Sequence, residues 1–179
     1  MRTDATLVLD SAIAVLAKDR GASMQAIAAR AGISRATLVR LFPTRQHLLE
    51  AMAGKILDDC EQALSRAEVE TAPMEQVLAA LVSDYASFAQ LWNFVYVEPD
   101  VLGVPEASAR ADAVFDRTVS IVERGQTSGL LRKDMPATWL ASTYCGLAET
   151  AWELALEGHM GPRQAPDFIT TILLHGAAG

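Results

Sequence analysis

Apolar residues recur at helical spacing along most of the chain, and short polar or helix-breaking stretches separate one run from the next. Residues 4–19 place Leu9, Ile13 and Leu16 on one stripe, widened by Val8, Ala12 and Val15, which predicts an amphipathic helix. The turn Arg20-Gly21-Ala22 leads into Ser23, and two brief runs follow: Met24, Ile27, Ala28 and Ala31, then Leu38 and Leu41. Ser23 and Ser34 stand directly before these runs, where a hydroxyl can accept from the unpaired amides of a first helical turn. Gly32 lies between them, where a left-handed backbone is usually needed and glycine adopts it without steric cost. The pattern therefore predicts two short helices joined by a tight turn at Ala31-Gly32-Ile33.

The remaining pattern is helical as well. Pro43 resists continuing the previous helix and Thr44 can cap a new one, whose stripe of Leu48, Leu49, Met52, Ile56 and Leu57 extends to about Ala67. Ala72-Pro73-Met74 starts another, with Glu75 in its first turn and Val77, Leu78, Leu81, Val82, Tyr85 and Phe88 carrying it to about Leu91. Residues 92–105, WNFVYVEPDVLGVP, are the most aromatic and least periodic stretch, and they are a candidate pocket wall as well as a candidate core junction. Helices are then predicted from Glu106 to about Thr127 with Gly129 as C-cap, from Ala137 to Glu157, and from Pro166 to about His175. With half the residues apolar and few aromatic, the fold class is all-α.

If the helix from Ser34 to Phe42 packs through Ile33, Leu38 and Phe42, its other face carries Arg35, Ala36, Thr37, Val39 and Arg40. Arginine can bond both acceptors of a guanine edge or hold phosphate, threonine can bond a base or touch a thymine methyl, and alanine permits close approach. A solvated face of an ordinary bundle is the alternative. The net charge of −7 by itself argues against nucleic acid, but it is unevenly distributed. Residues 1–50 carry seven Lys and Arg against four Asp and Glu, whereas residues 51–179 carry eight against eighteen. The split assigns a polyanion to the N-terminal part.

The segment AIAARAGISRATLVRLFPTRQHLLEAM resembles the TetR family of bacterial transcriptional regulators, whose motif has the form x-I-A-x-x-A-G-V-S-x-x-T-L-Y-x-H-F-x-x-K/R-x-x-L-L. Turn, cap, recognition helix and following helix all fall in phase over about a quarter of the chain. Two positions depart from the motif: Val39 replaces the usual Tyr, removing a customary phosphate contact, and Leu41 replaces the usual His or Tyr. The turn at 20–22 is also a few residues shorter than is usual in the family. The resemblance implies a three-helix helix-turn-helix domain over residues 1–50 and a helical ligand-binding and dimerisation domain over residues 51–179. It places Ser34, Arg35, Ala36, Thr37, Val39 and Arg40 on DNA, with Thr44 and Arg45 where family members often touch phosphate at a helix start.

The same resemblance implies a homodimer on a near-palindromic operator, formed through the last two helices, in which Ala141, Cys145, Ala148, Phe168 and Ile172 would face the partner. It further implies repression relieved by a small-molecule effector. Tyr85, Phe88, Trp92, Tyr96, Trp139, Tyr144, Glu149 and Trp152 are the candidate ligand residues, and an apolar or aromatic ligand with a cationic portion would meet π faces and a carboxylate, from Glu149 or Glu153. Two other readings stay open: a ligand-sequestering or protein-interaction dimer whose helix-turn-helix no longer binds DNA, and an all-α enzyme using Glu149 and Glu153. No P-loop, dinucleotide glycine motif, H-E-x-x-H or nucleophile-base-acid pattern occurs, and no metal or cofactor is expected. Cys60 and Cys145 read as free thiols. The run from Leu7 to Ala17 is broken by Asp10 and lacks a basic lead, so no signal peptide or membrane segment is expected and the location is cytoplasmic.

Overall fold

The long helix at residues 45–67 packs along its length against the first helix and against helices that follow it, because its apolar stripe never leaves phase. The computed structural model describes residues 5–67, 72–95 and 105–177. In chain order the helices are α1 (Ala5–Lys18), α2 (Met24–Arg30), α3 (Arg35–Leu41), α4 (Arg45–Ala67), α5 (Met74–Ser83), α6 (Tyr85–Gln90), a π turn (Leu91–Val95), α7 (Pro105–Ser128), α8 (Ala137–Glu157) and α9 (Ala165–Ala177). There is no strand among the described residues.

α4 buries Leu48, Leu49, Met52, Ala53, Ile56, Leu57, Cys60, Ala63, Leu64 and Ala67 along its length. Its first turns meet α1, and its later turns meet α5, α6 and α7. One continuous cluster of buried side chains consequently runs from Val8 on α1 to Leu173 on α9. A smaller cluster of Val122, Leu131, Leu140 and Ala141 closes the far end of α7 and α8. Lys55 of α4 reaches Asp10 of α1 at 3.0 Å and Asp59 of its own helix at 2.6 Å. Arg110 of α7 reaches Asp58 at 2.7 Å and Glu61 at 2.9 Å. Partly exposed pairs of this kind contribute at most about 1 kcal/mol each, so they set the alignment of helices more than the stability.

The expected helix from residue 74 to 91 is interrupted. Asp84 leaves the helical backbone at φ −99°, ψ 19°, and its carboxylate is held by Arg66 of α4 at 2.8 Å. The chain resumes as α6 and then widens into the π turn, so the first residues of the aromatic stretch prolong a helix. Residues 96–104, including Tyr96, lie outside the described residues. The C-cap expected at Gly129 is present at φ +86°. The division between residues 50 and 51 falls inside α4, which passes through it unbroken. No helix among the described residues is long and apolar enough to cross a membrane, and both cysteines are buried free thiols.

Candidate nucleic-acid interface

The helix-turn-helix is built from its caps outward. Ser23 Oγ accepts from the Ala26 amide at 3.2 Å, starting α2. Gly32 turns the chain at φ +68°, a conformation that side chains with a Cβ adopt at a cost of roughly 1 kcal/mol or more, and the Ile33 amide closes back on the Ala28 carbonyl at 3.0 Å. Ser34 Oγ accepts from the Thr37 amide at 3.1 Å and lies 2.9 Å from Thr37 Oγ1. Leu38 is fully buried and Phe42 nearly so, with Ile33 and Leu41 packed against the same core. With that side of α3 committed inward, Arg35, Ala36 and Arg40 are exposed, and Thr37 and Val39 are half-buried beside them. The residues expected to read DNA thus share one side of a short, doubly anchored helix.

Thr44 caps α4, accepting from the His47 amide at 3.2 Å, and its hydroxyl lies 2.7 Å from His47 Nδ1. Arg45 does something other than expected. Its guanidinium turns back to donate to the Ala22 carbonyl at 2.7 Å and to the Arg20 carbonyl. In this structure Arg45 bolts the start of α4 to the α1–α2 turn, whose two carbonyls have no helical amide to satisfy them.

Of the candidate ligand residues that are described, four are core. Phe88 and Tyr144 meet edge to face with centroids 5.3 Å apart, and Tyr144 donates its hydroxyl proton to the Leu81 carbonyl at 2.9 Å. Complete burial raises the Tyr144 phenol well above its ordinary pKa. Phe94 and Trp152 form a second edge-to-face pair at 6.2 Å, and Tyr85 is buried with its hydroxyl 3.4 Å from the Pro162 carbonyl. In this structure these rings pack against one another rather than around an open space. Trp92 and Trp139 point outward, the latter 63% exposed, which corrects their assignment to the same pocket.

Glu149 is half-buried and accepts from Asn93 Nδ2 at 3.0 Å. Burial, then the neighbouring charge of Glu153, raises its carboxyl above the usual range, and Arg20 partly offsets this. Asn93 in turn accepts Arg20 Nη2 on its carbonyl at 3.1 Å and on its side-chain oxygen at 3.2 Å. The sequence reading missed both Arg20 and Asn93, although an asparagine within the apolar run LWNFV was a visible signal. Glu153 stands instead in an open cleft of about 380 Å³ with Ala17, Lys18, Leu156 and Glu157, between α1 and α8. A second groove, of about 150 Å³, lies between α4 and α7 and is lined by Glu50, Ala53, Gly54, Leu57, Glu106, Ala107 and Arg110. Among the described residues no cluster of three or more His, Cys, Asp or Glu is arranged for a metal.

The expected partner-facing residues divide. Ala141, Cys145 and Ala148 are buried within the subunit, so they cannot face a second copy, a correction that follows from α8 turning its small side chains toward α6 and α7. Phe168 and Ile172 are 51% and 49% exposed. They form an apolar hollow with Leu147, Thr150, Ala151, Leu154, Met160 and Ile169. The α8 part of this face was legible in the i, i+3, i+7 spacing of Leu147, Thr150 and Leu154.

A family model of bacterial regulatory proteins of the TetR family matches residues 8–52. The chain is 32% identical over 169 residues to the HTH-type transcriptional repressor LfrR of Mycolicibacterium smegmatis, covering 94% of this chain and 87% of that protein. It is 24% identical over 177 residues to the HTH-type transcriptional regulator NfxB of Pseudomonas aeruginosa, covering 98% and 94%. The crystal structure of LfrR in complex with proflavine, from Mycobacterium smegmatis, superposes with a TM-score of 0.72 at 30% identity, covering 97% of this chain and 96% of that one. These relatives are regulators, which sets aside the enzyme built on Glu149 and Glu153. The capped turn, the exposed face of α3 and near full-length similarity to a repressor together place the chain in the TetR family of transcriptional regulators, with an N-terminal helix-turn-helix.

Proposed function

We propose that the protein is a homodimeric repressor that holds a near-palindromic operator through two copies of α3 and releases it when a small molecule binds the C-terminal part. The observation that carries this reading is the exposed Arg35, Ala36 and Arg40 face of α3, held rigid by the Ser34 cap and the buried Leu38. Arg35 and Arg40 supply donors to base edges or phosphate, Ala36 permits approach, and Ser34, Thr37, Val39 and Thr44 complete the contact surface. Two such helices belong in successive major grooves, about 34–36 Å apart or slightly more. Dimerisation uses the apolar face of α8 and α9 around Leu154, Phe168 and Ile172, since patches of this kind on a soluble chain mark an interface.

The effector we infer is a flat aromatic cation of the proflavine type. Support comes from the LfrR complex and from a half-buried carboxylate, Glu149, on the same helix face as Trp152, whose ring pairs with Phe94. Such a ligand enters by separating rings now in contact, and its charge meets Glu149. It relieves repression by binding the DNA-incompetent conformation better. On this reading the protein works in the cytoplasm.

The test is anisotropy titration of the purified protein against a selected operator pool over a range of salt, with and without proflavine. A palindromic consensus, steep salt dependence and loss of binding with proflavine are expected. Failure to enrich any sequence overturns the repressor, and operator binding indifferent to proflavine overturns the effector class.

A further inference from the structure

Asn93 is one of two buried polar residues among the described ones, the other being Thr118. Its amide is oriented without ambiguity. A guanidinium can only donate, so the side-chain oxygen faces Arg20, and an ionised carboxylate can only accept, so the NH₂ faces Glu149. The residue lies in the π turn, where Leu91, Phe94 and Val95 are buried around it and Trp92 is turned out. On one side it grips the α1–α2 turn, three residues before the Ser23 cap of the helix-turn-helix. That turn is also bolted to α4 through the Arg45 guanidinium on the Arg20 and Ala22 carbonyls. On the other side it grips α8 at Glu149. α8, the π turn, the α1–α2 turn and the start of α4 are thus joined by one line of polar contacts.

We propose that Asn93 is the coupling residue through which occupancy of the C-terminal part positions the helix-turn-helix: a cation that draws on Glu149 releases Asn93, and with it Arg20 and the α1–α2 turn. The inference rests on the effector reading above. The chemistry is a competition, since each bond to a ligand cation weakens the acceptance of the Asn93 proton by the same carboxylate. The line has two arrangements, closed through Asn93 or opened by ligand, and the reading helices follow the closed one.

The experiment uses the full-length protein, its selected operator and proflavine as the probe, and compares wild type with N93A and R20M. The readout is the ratio of proflavine Kd measured with saturating operator to that measured without it. For the wild type this ratio is expected to be about tenfold or more. Both variants should bring it close to one. N93A free of DNA should bind proflavine about fivefold more tightly, because the ligand no longer displaces a hydrogen bond. A residue that only supported the fold would weaken binding instead. R20M alters an exposed position and covers the case in which N93A does not fold. A wild-type ratio retained in R20M and N93A, or weaker proflavine binding by N93A, overturns the coupling while leaving the effector reading intact. Should proflavine not bind the wild type, that reading fails, and the coupling is judged by hydrogen exchange without ligand. Faster exchange in N93A at residues 22–26 together with 149–152 supports it, and a change confined to 91–95 overturns it.

Discussion

Arg40 stands exposed on the proposed reading face of α3, one helical turn beyond the half-buried Thr37. Arg40→Ala should weaken binding to the selected operator by about 1–3 kcal/mol with little effect on unrelated DNA. A loss equal on every sequence, measured by competition titration, reassigns it to phosphate. Glu149 has a pH signature of a definite sign. Its carboxyl pKa is raised in the fold by burial and then by Glu153, so the folded state holds the proton more strongly than the unfolded chain, and stability falls as pH rises from the unfolded toward the folded value. Glu149→Gln keeps an acceptor for Asn93 without the charge. Its melting temperature should therefore exceed that of wild type by more at neutral pH than in acid. Burial pushes the Cys145 thiol up to about 12, and burial followed by the charge of Asp59 raises Cys60 as well. A thiol reagent at neutral pH should label neither cysteine until denaturant is added. At this scale the caps and the exposed side of α3 were legible in the sequence, because each depends on neighbours within four residues. The roles of Arg45, Arg20 and Asn93 were not, because their partners lie 23 to 73 positions away.

Among the elements, α3 is seven residues long, too short to persist without its cap and its buried Leu38. Ser34→Ala should lower stability by about 1 kcal/mol and fray the first turn of α3, seen as faster amide exchange at residues 36–38 and weaker operator binding. Helix positions could be read closely from apolar spacing, and the helix from α5 to α6 was misread for the same reason. Val77, Leu81, Tyr85 and Phe88 stay in phase across Asp84, so nothing local announces the break that Arg66 holds from another helix. Likewise the aromatic residues of α6 and α8 could be seen to bury themselves, but whether rings enclose space or fill it depends on how two helices cross. The edge-to-face pairs decide for filling.

For the whole molecule, the proposed dimer face is the apolar surface of α8 and α9. Phe168→Asp should leave the subunit folded, because the side chain is half exposed, yet yield a monomer by sedimentation and lose cooperative operator binding. Unchanged dimer would move the interface elsewhere. The small residues of α8 misled here, since small side chains suit close packing inside a subunit as well as between subunits. The charge split was legible from the sequence, but not the fact that one core passes through it. That continuity limits what can be rebuilt from this chain. Asp10 of the first helix finds its cation at Lys55, and Met52 and Ala53 belong to the same core as Val8 and Leu16. A reading head cut at residue 50 and fused to a foreign dimerisation module would leave that seam open to water. A working chimera has to carry α4 whole, inheriting the orientation that this helix imposes on its new partner.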